Sequence, residues 1–100
     1  MYRPLPLNLT IKKSKIDGLG LFAVDIIPKG IDLGISHVEY NTKIFDQGYI
    51  RTPLGAFINH SDKPNCILQD TGNMKRLKTI KDIDINEELT TKYTLYKIGT

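Results

Sequence analysis

Between Cys66 and Ile80 the chain reads CILQDTGNMKRLKTI, two alternating runs hinged on Asp70-Thr71-Gly72-Asn73. Glycine and asparagine tolerate the positive φ of a tight reversal, so this stretch predicts a β-hairpin. Other segments share the strand character. LTIKK (9–13) alternates apolar and polar residues, while LGLFAV (19–24) and LGISHV (33–38) are short apolar runs bounded by turn residues. IKDIDINEELT (80–90) holds isoleucines at 83 and 85, then a polar turn, then another short strand. No segment keeps the i, i+3, i+4, i+7 pattern over three turns, and at most one helical turn precedes Asn59. The expectation is a mostly-β domain of short strands, with residues 1–100 forming one unit.

Composition narrows the setting. One hundred residues, 40% hydrophobic and 25% charged, suit one globular core. No apolar run approaches the ~20 residues of a membrane span. The two prolines of MYRPLPLNLT interrupt the apolar core that a signal peptide requires. A single cysteine permits no internal disulfide and agrees with a reducing compartment. The expected location is cytoplasmic or, for a viral chain, the host cytoplasm or nucleus, and not secreted. A net charge of +3 invites a nucleic-acid reading, but only KKSK (12–15) and KRLK (75–78) cluster, and both read as solvated strand faces.

The segment GAFINHSDKPNC (55–66) concentrates chemically capable residues. His37, His60 and Cys66 could supply at most three soft ligands without paired spacing, so no metal is expected. A thiolate–imidazole pair of Cys66 and His60 has no spacing that assures contact, and a buried, inert cysteine is the commoner fate. Gly18-Leu19-Gly20 reads either as a tight turn or as backbone laid bare for a ligand.

Taken in order, SKIDGLGLFAVDIIPKG (14–30), GAFINHSDKPNC (55–66) and IKDIDINEELTTKY (80–93) resemble the SET domain of protein lysine methyltransferases. The likeness is to the minimal, stand-alone type found in viral, phage and bacterial proteins, with a motif-bearing core of about 9–96. It implies a β-clip of small sheets with little helix. It also implies a threaded, pseudoknot-like C-terminal segment passing under the loop that bears Asn59-His60-Ser61.

The implied cofactor is S-adenosylmethionine. By the resemblance Gly18, Leu19 and Gly20 face its methionine part, while the Asn59 side chain and the His60 backbone hold it. Tyr93 is the implied catalytic residue, its hydroxyl orienting the lysine amine and the methyl group. Tyr96 either covers the adenine or lies on the surface. Pro64, Asn65 and Cys66 shape the return strand. Leu68 stands where many members carry an aromatic at the lysine channel, which leaves open how many methyl groups are transferred. Asn86 stands where the family often has glycine, and asparagine can take the left-handed conformation.

The implied partner is a protein presenting a lysine, histone-like or translation-related. Two other readings stand beside this one: a catalytically idle SET-like binding module, and a basic nucleic-acid-binding β domain. The apolar stretches YIRTPLGAF (49–57) and IGT (98–100) exceed what one small core needs. They give the expectation of a homodimer whose subunits wall each other's sites.

Overall fold

The structure, a computed structural model, describes residues 5–39 and 49–92. Along the described chain run β1 (Leu9–Lys13), β2 (Leu19–Ala23), β3 (Asp32–Glu39), β4 (Tyr49–Arg51), α1 (Pro53–Phe57), β5 (Asn59–His60), β6 (Cys66–Asp70), β7 (Met74–Thr79) and β8 (Glu88–Thr91). They form two four-stranded sheets, ordered β1-β2-β8-β5 and β4-β3-β7-β6. The mostly-β expectation holds, and the short helix falls where one turn was expected before Asn59. Of the C-terminal segment expected to thread under the Asn59-His60-Ser61 loop, β8 is described and pairs in parallel with β5, while residues 93–100 lie outside the described residues.

The β6–β7 hairpin forms as its sequence predicts. Asp70 pairs with Lys75 across the turn, and Gly72 takes φ +77. Alternation along β7 points Lys75, Leu77 and Thr79 inward. Leu77 joins Leu9, Leu21, Ile27, Ile83 and Leu89 in a core that each enters almost completely. Ile27 and Ile83 also exchange backbone hydrogen bonds of 2.9 and 2.8 Å, tying the turn after β2 to the turn before β8. In that second turn Asn86 is left-handed at φ +69, the conformation expected of asparagine in place of glycine.

One expectation needs correction. KKSK is solvated as expected, since Lys12, Lys13 and Lys15 are exposed. KRLK is not: Lys75 is 8% exposed and ion-pairs with Asp70, its partner across the hairpin. The strand period forces this, because the face that buries Leu77 also turns residue 75 inward. Stretch 49–57 puts part of its apolar surface into the chain's own core. Leu54 is buried and Phe57 packs against the core, leaving Ile50 exposed.

Lys75 borders a buried polar group. Ser36 Oγ donates to the Lys75 carbonyl at 3.0 Å and lies 2.9 Å from His37 Nδ1. Burial, reinforced by the positive charges of Arg51 and Lys75, lowers the His37 pKa to about 4. His37 is therefore a neutral interior residue at physiological pH.

Candidate active site

The site begins in the loop that joins β1 to β2. The Ser14 N–H donates to the Gly18 carbonyl at 2.8 Å, and Ser14 Oγ accepts from the Ile16 N–H at 2.9 Å. Gly18 completes this reversal at φ +46, where a side chain would be strained. Leu19 then opens β2, half exposed, as is Ile16 within the loop.

Asn59 approaches the loop from the far side of the sheet. It lies on β5, which runs parallel to β8 with Asn59 opposite Thr90 and His60 opposite Thr91. Its Nδ2 donates to the carbonyls of Asp17 and Leu19, each at 3.2 Å. The fold thus joins the Gly18–Gly20 loop to Asn59 across 40 residues of sequence.

A third component was not assigned from sequence. Glu88, the first residue of β8, accepts from Asn59 Nδ2 at 2.8 Å and from Ser14 Oγ at 2.8 and 2.9 Å. Its carboxylate occupies the space beside Gly20. A Cβ built there would collide with Glu88 Oε2 and crowd Asn59 Nδ2 at 3.1 Å. Gly20 thus lies against the protein's own carboxylate. Ser14 and Glu88 stand within the quoted motifs, but 74 residues separate them and no local pattern signals that they meet.

Other expected residues divide. The His60 side chain is exposed, 3.4 Å from Asp62 Oδ1, while its backbone lies in the β5–β8 pair. Cys66 is buried, and desolvation, with the nearby negative charge of Glu87, raises its thiol pKa to about 12. Burial and the raised pKa keep it a thiol, the inert buried cysteine that was expected. Asn65 does shape the return strand. Its Nδ2 donates to the Glu88 carbonyl (2.9 Å) and to Glu87 Oε2 (3.1 Å), while its Oδ1 accepts from the Thr90 N–H (2.8 Å).

Leu68 belongs to the other sheet, opposite Leu77 on β6. It lines a mainly apolar cleft of about 220 Å³ with Pro64, Cys66, Ile67, Ile80, Thr91 and Lys92. β8 therefore runs from the polar cluster at Glu88 to this cleft at Thr91. Tyr93 and Tyr96 lie outside the described residues. Among the described residues, no three His, Cys, Asp or Glu side chains converge as a metal site, and no helix is long and apolar enough to cross a membrane.

A family model described as the SET domain matches residues 34–94. The chain belongs to the SET-domain family. Solved structures show the same fold at low sequence identity. A Plasmodium falciparum protein described as a histone methyltransferase superimposes with a TM-score of 0.71 at 21% identity, covering 86% of this chain and 92% of that one. The methyltransferase domain of human PR domain-containing protein 2 gives 0.66 at 19% identity, covering 87% and 77%. No curated protein matches the sequence.

Proposed function

We propose that this chain is an S-adenosylmethionine-dependent protein-lysine methyltransferase. The observation that carries the reading is the meeting of the Gly18–Gly20 loop with Asn59, within a chain whose family match covers 34–94. The residues suit the cofactor chemically. Asn59 spends its amide N–H groups on the protein, and among the described residues its Oδ1 takes no hydrogen bond, while Ile16 and Leu19 expose apolar surface on the same loop. When bound, S-adenosylmethionine supplies an electrophilic methyl group. Asn59, the backbone of Gly18 to Gly20 and the His60 backbone hold it, and Tyr96 is proposed to cover its adenine.

The lysine must arrive neutral, although its ordinary pKa is near 10.4. Desolvation in an apolar channel favours the neutral amine. The cleft beside Leu68, lined by Thr91 and Lys92, the residues just before Tyr93 in sequence, supports placing that channel there. Tyr93 would orient the amine in line with the methyl group, and such alignment can supply roughly 7–11 kcal/mol of a barrier. A lysine-bearing protein, histone-like or translation-related, is the proposed substrate. The Plasmodium neighbour, described as acting on histone, favours the first class.

The test is incubation of the chain with a labelled methyl donor and a lysate, followed by identification of the labelled residue. Label on a protein lysine is expected. Cofactor binding without any labelling would favour an idle binding module. Tyr93→Phe keeps the ring and removes the hydroxyl. It should abolish most turnover at near-normal cofactor affinity, the pattern of an interaction made in the transition state. Full activity in Tyr93→Phe would remove Tyr93 from the catalytic role.

A further inference from the structure

We propose that Ser14 and Glu88 are positioning residues which fix the orientation of the Asn59 amide and so present its Oδ1 to the cofactor. This rests on the cofactor reading above. The two ends of a primary amide are nearly alike in shape, so only hydrogen bonds decide which way it faces. Here Nδ2 meets four acceptors: Glu88 Oε2 at 2.8 Å, Ser14 Oγ at 3.1 Å, and the Asp17 and Leu19 carbonyls at 3.2 Å. A flipped amide would set its oxygen against a carboxylate and two carbonyls, none of which can donate.

Ser14 locks the polarity of this arrangement. Its Oγ faces the N–H groups of Ile16 and Asp17, so its single proton goes to Glu88. Glu88 also acts through charge. An amide that donates to a carboxylate is polarised, which makes its own oxygen a stronger acceptor. Oδ1 itself takes no hydrogen bond among the described residues. Gly20 leaves the room in which the carboxylate lies. Ser14 and Glu88 therefore prepare the acceptor without being required to touch the cofactor.

The experiment titrates S-adenosylmethionine calorimetrically into the full chain and its Ser14→Ala, Glu88→Ala, Glu88→Gln, Asn59→Ala and Asn59→Ala/Glu88→Ala variants. Asn59 side-chain amide resonances are followed in the same proteins without cofactor. Glu88→Ala should weaken binding by about tenfold or more, the scale of one hydrogen bond to a charged group. Glu88→Gln, which keeps an acceptor oxygen, should bind more tightly than Glu88→Ala. The double variant should bind no more weakly than Asn59→Ala alone, because Glu88 acts through Asn59. A merely structural role would not produce that equality.

Full additivity in the double variant would overturn the proposal, as would wild-type affinity in Glu88→Ala. Should Glu88→Ala fail to fold, Ser14→Ala decides: unchanged Asn59 resonances and unchanged affinity sink the idea. If the wild type binds no cofactor, the cofactor reading falls instead. The resonances of the cofactor-free variants then still show whether Ser14 and Glu88 orient the amide.

Discussion

In the sheet of β3, β4, β6 and β7, strand β7 lies between two antiparallel neighbours, pairs with β6 over five residues, and sends Leu77 fully into the core. In the sheet of β1, β2, β5 and β8, by contrast, β8 meets β2 at two register positions and β5 at two more. Side chains strengthen that second seam: Asn65 grips β8 from one side, and Ser14 and Asn59 converge on Glu88. Both sheets bury apolar side chains, Leu77 from the first and Leu9, Leu21 and Leu89 from the second, but the first has the longer backbone ladder. The second adds polar side chains, of which Asn59 is the one proposed to meet the cofactor. Damage to the first should be read in stability, and damage near the cofactor loop mainly in binding.

The largest effect expected is that of Leu77→Ala, which empties a wholly buried site and should cost about 2–5 kcal/mol in urea unfolding. A loss below about 1 kcal/mol would mean that Leu77 is not packed in the core as its burial implies. Next comes Asn65→Ala, which strips the Thr90 N–H and the Glu88 carbonyl of partners at the seam. Thermal or urea unfolding should show a loss of about 2 kcal/mol. No loss would show that the seam stands without its side chains.

Acid should act on the first sheet through His37. Its folded pKa, about 4, lies below the ordinary 6.5, so the unfolded chain binds the proton more readily. The stability from keeping this ring neutral is complete above pH 6.5 and drains as pH falls towards 4. A loss on the order of 1–2 kcal/mol is expected over that window, and a His37→Gln variant should show a flatter profile. Identical pH profiles would take His37 out of the account. The smallest effect on folding is that of Asn59→Ala, within about 1 kcal/mol in the cofactor-free protein because the residue is only half buried. The melting shift that S-adenosylmethionine gives the wild type should nevertheless be largely lost in this variant.

Local chemistry was legible, and distant pairing much less so. The DTGN hairpin, the short helix before Asn59 and the left-handed Asn86 each follow from a few adjacent residues. Lys75 was misjudged because its charge suggested solvent. Its inward direction is set by strand period together with Leu77, and its partner Asp70 becomes visible only once the hairpin register is known. The motif order, with Gly18-Leu19-Gly20 before Asn59, identified the loop that Asn59 reaches. What Glu88 does there was not readable, because a carboxylate in NEELTT looks like an exposed turn residue until the sheet carries it to Ser14. Gly20 shows the same limit. Sequence suggested room for a ligand, whereas the nearest occupant is the chain itself.

The 74 residues between Ser14 and Glu88 also matter during synthesis. A ribosome adding about 5–20 residues per second delivers Glu88 on the order of 4–15 s after Ser14. Until then β2 lacks its β8 neighbour, and Asn59 has emerged without the carboxylate that holds it. The nascent chain thus passes through a period with an open strand edge, the kind of surface that invites wrong pairing with another chain. Slowing elongation over residues 60–88 should lengthen that exposure and lower the soluble yield, with little change in the stability of the molecules that do fold.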